Sequence, residues 1–146
     1  MKRLLYLIII LILLSPGIIF AVDQKDIQVA LTISGEAIGE GRLGMYLVAC
    51  VIQNRAKISH LSPSEVVKHG FYGLHNKVAR KGYIAERDWL LSLVSQLNKL
   101  ELQDYTNGAL FFESIHYPKN IAKFDKKYER CYQYKHHIFY KERSGK

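Results

Sequence analysis

The chain has 146 residues, 21 Lys and Arg against 13 Asp and Glu, a formal net charge of +8 at pH 7 and only two cysteines. That length suits one domain with a real core and is too short for two comfortable ones. The basic balance points to a polyanionic partner, and two cysteines placed far apart in the chain exclude a zinc site built on thiolates.

Residues 1–21 read as an export signal. Lys2-Arg3 form a basic start, Leu4 to Leu14 an apolar run too short to span a membrane comfortably, and Ser15-Pro16-Gly17 break it. Ala21 offers a small residue for cleavage, whereas Ile19, two positions before it, departs from the small-residue preference. A signal left uncleaved tethers the domain to the membrane. Residues 22–146 are then expected to act in the periplasm or outside the cell. Loss of Lys2 and Arg3 leaves them still basic, so their polyanion is a cell-wall polymer in preference to anionic lipid or nucleic acid.

From Asp26 onward, Ile27, Ala30, Leu31, Ala37 and Ile38 recur at helical spacing and predict the buried stripe of a first helix. Glu36 falls on the opposite side, in line with Val29 and Ile33 and one turn from Glu40, so both carboxylates share a partly apolar second face. Gly39, Gly41 and Gly44 suit a tight turn into a second helix over 43–58, whose Tyr46, Leu47, Cys50, Val51 and Asn54 fall on one stripe. Ser62-Pro63-Ser64-Glu65 combines a capping box with proline at the first helical position, and predicts a short third helix ending at Gly70. An aromatic, basic loop follows over 70–83, carrying Phe71, Tyr72, His75, Lys77, Arg80 and Lys81. A fourth helix is predicted over 85–100 from Trp89, Leu90, Leu93, Val94, Leu97 and Leu100.

After the turn-like segment 104–108, Ala109 to Phe112 predicts a short strand. Glu129 to Tyr134 and His137 to Lys141 predict two more, joined to the rest by a polar, lysine-rich connection over 120–127. In an exported chain Cys50 and Cys131 either pair, closing a loop worth about 4 kcal/mol, or stay a buried hydrophobe and an unrelated thiol. Both readings stand at this point.

Desolvation of Glu36 on an apolar face and the negative charge of Glu40 act together to hold a proton on Glu36 near neutral pH, the alternative part for Glu40 being to fasten the turn. Such a carboxyl group delivers its proton to a leaving oxygen, as glycosidic cleavage requires. Other chemistries lack their residues: no His-Glu-x-x-His spacing, no phosphate loop and no Gly-x-Ser-x-Gly elbow occurs, and Cys50 sits in too apolar a run for an activated thiol. No metal or cofactor is implied.

The block from Ile33 to Arg55 resembles the signature of the bacterial cell-wall hydrolases related to the spore cortex-lytic enzyme, a Glu-Ala-x-Gly-Glu block, a spaced glycine and Val-Ala-x-Val-Ile-x-Asn-Arg. Glu36, Ala37, Gly39, Glu40, Gly44, Val48, Ala49, Val51, Ile52, Asn54 and Arg55 meet each position. Thr106 to Phe112 is similar to the family's Thr-x-Gly-Ala followed by aromatics, and His137-Ile138-Phe139-Tyr140 to its closing His-Val-Phe-Tyr. The resemblance implies a lysozyme-like α+β fold, mainly helical with a small antiparallel sheet, as a cell-wall hydrolase catalytic domain over 22–146. It implies a lytic transglycosylase acting on peptidoglycan glycan strands, with Glu36 as the single acid that protonates the glycosidic oxygen and then the base for the attacking 6-hydroxyl, and no second carboxylate required. A hydrolytic muramidase and a non-catalytic peptidoglycan-binding or assembly protein of the same fold are the alternatives.

Around Glu36, the candidate substrate-binding residues are Glu40, Phe71, Tyr72, Thr106, Phe111 and His137. Aromatic faces pack against sugar rings, although core packing suits Phe71, Tyr72, Phe111 or Phe112 equally well. His137 reads as a hydrogen-bonded structural histidine in preference to a base, and Asn54 and Arg55 as fasteners of the second helix. Gly70-Phe71-Tyr72 departs from the family's Gln-Phe-Ser and so lacks a polar pair that orients substrate. Glu113-Ser114 matches the Glu-Ser of other lytic transglycosylases, but it follows a predicted strand and lacks their downstream Gly-Leu-x-Gln block, so it is read as coincidence.

Overall fold

A computed structural model describes residues 22–145; the export signal expected over residues 1–21 lies outside them. The chain runs through helix α1 (Gln24–Ala37), a 3-10 turn (Ile38–Glu40), helix α2 (Gly41–Ser59), the single-turn helix α3 (Pro63–Val66), a second 3-10 turn (Gly73–His75), helix α4 (Ala79–Asn98), strand β1 (Phe111–Ser114), helix α5 (Pro118–Lys127), and strands β2 (Glu129–Tyr134) and β3 (His137–Lys141). The fold is α+β, mainly helical with a three-stranded antiparallel sheet in the order β1-β3-β2. Among the described residues no helix is long and apolar enough to cross a membrane.

Helix α1 begins where the Asp23 side chain accepts from the Lys25 N–H at 3.0 Å, satisfying one of the amides that a helix start leaves unpaired. Its middle is buried on every side rather than along the predicted stripe: Val29, Ala30, Thr32, Ile33, Ser34, Gly35 and Ala37 are all inside. The two hydroxyls this encloses are both paired, Thr32 to the Gln28 carbonyl at 2.9 Å and Ser34 to the Ala79 carbonyl at 3.0 Å. Helix α2 buries Leu47, Val48, Ala49, Cys50, Val51 and Ile52, and with α1 and the face Leu90, Leu93, Val94 and Leu97 of α4 it forms the core, to which β3 adds Phe139.

Helix α4 starts at Ala79, inside the expected loop. Gly82, which weakens an isolated helix, is required here because a Cβ at that position would press on the Ser34 hydroxyl and the Ile38 side chain. The helix bends at Glu86, where the backbone leaves helical geometry (φ −119°, ψ 18°). Its regular second half is the part that the periodicity marks. The Ser62–Glu65 capping box forms as expected, although α3 ends at Val66 rather than Gly70. Strand β1 is shifted two residues beyond its expected place, while β2 and β3 have the expected bounds. The supposed connection over 120–127 is helix α5. Pro118 at its first turn and the spacing of Ile121 and Phe124 are the local signals for it.

One buried polar side chain carries a segment of loop. Gln53 is fully buried; its Nε2 donates to the Leu102 carbonyl and its Oε1 accepts from the Leu102 N–H, both at 2.8 Å. Gln53→Met keeps the volume but leaves both backbone groups of Leu102 buried and unpaired. The variant is expected to lose about 2 kcal/mol of stability, measured by denaturant unfolding; a loss below about 0.5 kcal/mol would show that the loop re-pairs elsewhere.

Candidate active site

A groove of about 550 Å³ runs between α1 and the edge strand β1, with walls from α2, the 70–76 loop, α5 and β3. Of the residues singled out from the sequence, Glu36, Phe71, Tyr72, Phe111 and His137 all line it. Their convergence starts from two glycines. A Cβ on Gly35 would fall onto the Gly73 backbone, and one on Gly73 would fall onto the Thr32 carbonyl and lie 2.7 Å from the Glu36 backbone N. With glycine at both places the 70–76 loop lies directly on α1, and Asn76 fastens it by donating to the Gly35 carbonyl at 2.9 Å.

That close approach delivers two backbone amides to the glutamate. Glu36 Oε1 accepts from the N–H of Tyr72 and of Gly73, each at 2.6 Å, and Oε2 has no hydrogen-bond partner among the described residues. Burial pushes the Glu36 carboxyl up; the two amides pull it down, the Glu113 charge adds to the rise, and the balance stays above the ordinary carboxylate value. The arrangement holds the side chain in one orientation while favouring a proton on it. Chemically, a carboxyl group so held can give its proton to a group placed in the groove.

Glu40 is corrected as a substrate-binding residue and as the charge that acts on Glu36, and meets the alternative that it fastens the turn. It does not line the groove, and the carboxylate that acts on Glu36 is Glu113. Glu40 is 7% exposed beneath the start of α2, where its Oε1 lies 3.0 Å from His136 Nδ1, its Oε2 accepts from the His136 N–H at 3.3 Å and its carbonyl accepts from Lys135 Nζ at 2.9 Å. Burial raises its carboxyl, but the bonds from His136 outweigh that and hold it below the ordinary value. Glu40 therefore ties the α1–α2 corner to the β2–β3 turn. Gly44 leaves the space its side chain needs.

Thr106 is also displaced from the groove. It is fully buried, donating to Asp104 Oδ1 at 2.6 Å through its hydroxyl and accepting from the Ala109 N–H at 3.2 Å. Asp104 further accepts from Asn54 and from the N–H groups of Thr106 and Gly108. Burial raises the Asp104 carboxyl and these four bonds more than offset it, so it lies below its ordinary value. The Thr-x-Gly-Ala segment thus pins the chain entering β1. Asn54 belongs to the same knot, as a fastener, while Arg55 both fastens and lines the groove: it donates to the His69 carbonyl at 2.7 Å and stacks 4.9 Å from the Phe71 ring centroid.

Phe71 is buried and packs against Phe112, so its part is structural as much as it is lining; Tyr72, 79% exposed, presents its ring to solvent at the groove. Phe111 lies against Phe124 and Tyr128. His137 is not the hydrogen-bonded histidine expected. It is 8% exposed, its Nδ1 is buried with no partner, and burial pushes its ring below the ordinary histidine value, with Glu40 and Glu113 opposing. The ring packs against that of Phe112, their centroids 5.2 Å apart.

Tyr117, Asn120 and Phe124, which the sequence did not single out, and Glu113, whose Glu-Ser match is read there as coincidence, all line the groove. Asn120 and Phe124 belong to α5, within the expected connection over 120–127, and Tyr117 immediately precedes that helix. The two thiols do not form the bridge that was one of the two readings. Cys50 Sγ lies 3.5 Å from the Gln103 carbonyl, Cys131 Sγ lies 3.5 Å from the Phe139 carbonyl, and both are free. Burial pushes the Cys50 thiol up to about 12. Protein purified without reductant is therefore expected to show two titratable thiols once denatured, with Cys50 unlabelled in the folded protein at about pH 8; absence of free thiol in non-reduced, denatured material would restore the bridge.

Compared with protein-family models, with curated proteins and with solved structures, the chain has no significant match.

Proposed function

We propose that this protein is an exported peptidoglycan-cleaving enzyme of lysozyme-like fold, a lytic transglycosylase that cuts the glycosidic bond between MurNAc and GlcNAc. The observation that carries the reading is Glu36: one carboxyl oxygen is clamped by two amides and the other is unpartnered, on a groove with exposed aromatic walls at Tyr72 and Tyr117. In the reaction Glu36 protonates the glycosidic oxygen as the bond to C1 breaks, and the muramic acid 6-hydroxyl closes on C1 to leave an anhydro end, its proton passing to a carboxylate of the groove. Tyr72 and Tyr117 offer ring faces to the sugars, and the basic surface favours the anionic wall. The residues that support the reaction class belong to the groove; export rests on residues 1–21 and the substrate on the resemblance of the Ile33–Arg55 block.

The test is a mass spectrum of soluble products released from purified peptidoglycan. Anhydro-muropeptides are expected. Reducing ends would make the enzyme a muramidase that delivers water instead, and no product at all would leave a wall-binding protein.

A further inference from the structure

The groove holds a second carboxylate that the single-acid scheme does not use. Glu113 stands on β1, the edge strand of the sheet, opposite Ile138 in the register with β3. It is half-buried, and both its oxygens act as acceptors: Oε1 from the Ser114 N–H at 2.9 Å and Oε2 from Asn120 Nδ2 at 3.1 Å. Asn120 comes from the first turn of α5, so a separate element is used to aim this side chain. Glu113 is also near enough to Glu36 for its charge to favour the proton there. Two carboxyl groups thus face one groove, Glu36 with an oxygen unpartnered among the described residues and Glu113 with both oxygens oriented by hydrogen bonds, and such a pair can divide the work of an acid and a base.

We propose that Glu113 is a second catalytic residue, the base that takes the proton of the hydroxyl attacking C1, while Glu36 serves as the acid. This rests on the glycosidase reading above. The C1–O glycosidic bond breaks first, its electron pair staying on the leaving oxygen, which takes the proton of Glu36; the hydroxyl oxygen then bonds to the electron-poor C1, and its proton passes to Glu113. Glu36 ends ionised and Glu113 protonated, and exchange with solvent restores both. The same transfers serve the muramic 6-hydroxyl or a water molecule, so the product does not decide the role of Glu113. The hydrogen bond from Asn120 keeps the accepting oxygen in place until the attack.

The experiment uses the full exported chain on solubilised glycan strands. Glu113→Gln, which keeps the size and an acceptor for Asn120, is expected to slow cleavage by about 100-fold with melting temperature unchanged. Glu113→Ala, or Glu113→Ser if the alanine variant does not fold, is expected to regain at least tenfold of its lost rate in sodium azide, about 1 M, because azide attacks C1 without a proton to lose, and to release a glycosyl azide seen by mass. A merely structural glutamate gives no such product. Wild-type cleavage by Glu113→Gln, or a slow, folded Glu113→Ala or Glu113→Ser with no rescue and no azide adduct, would overturn the proposal. If the wild type itself releases nothing, the glycosidase reading fails; if the wild type cleaves and the Glu113 variants match it, only the base assignment fails.

Discussion

Glu36→Gln is expected to lower the release of soluble fragments from peptidoglycan by about 100- to 10,000-fold while binding to the insoluble polymer stays close to wild type. Glutamine retains a carbonyl oxygen to accept from the Tyr72 and Gly73 amides, so the 70–76 loop keeps its place. What it lacks is the transferable proton. Stability moves the other way from activity. Because burial raises the folded-state value of Glu36 above the ordinary 4.5, its protonated form stabilises the fold, and that contribution is complete below pH 4.5 and lost as pH rises through the folded value. Glutamine mimics the protonated form at every pH. The variant should therefore melt at or slightly above the wild type at neutral pH, and the gap should close as pH falls toward the ordinary carboxylate value. Cleavage above a few per cent of wild type would remove Glu36 from the acid role, and a melting gap that widens on acidification would contradict the sign of its shift.

The largest structural effect is expected at Gly35. An alanine Cβ there meets the carbonyl oxygen, carbonyl carbon and Cα of Gly73, all backbone atoms with no flexible end to give way. The helix and the loop must separate, the Asn76 bond to the Gly35 carbonyl is strained, and the two amides withdraw from Glu36. Gly35→Ala is expected to cost about 3 kcal/mol, a fall in melting temperature of roughly 10 °C, and at least a tenfold loss of cleavage because the acid is no longer aimed. Calorimetry and product release on the same preparation check both. Wild-type melting would show that the loop relaxes without cost; a destabilised variant with full cleavage would show that the amide clamp does not position the acid.

Much of the local structure was legible in the chain. The capping box at Ser62 and Glu65 needs only four consecutive residues, the stripe of α4 only the spacing of its leucines, and β2 and β3 only short runs bounded by turn residues. Where the reading slipped, a neighbour distant in sequence had overruled a local preference. Gly82 argues against a helix until Ser34 and Ile38 are seen to occupy the space of its missing Cβ. Segment 118–127 looks like a charged loop because α5 buries no residue completely, although its apolar positions recur at helical spacing.

The site divides along the same line. The sequence by itself singled out Glu36 as the candidate acid and drew attention to Phe71, Tyr72, Phe111 and His137, through residue type, spacing and the resemblance of their motifs. It could not choose between partners for the two glutamates. Four residues along a helix made Glu40 the natural neighbour of Glu36, yet the 3-10 turn at Ile38–Glu40 swings Glu40 away to His136, 96 residues on. Glu36 meets instead two amides 36 and 37 residues away and the charge of Glu113. Desolvation and Coulomb interaction depend on distance in space, so what surrounds Glu36, and hence whether it holds a proton, was decided only when Gly35 and Gly73 let helix and loop touch.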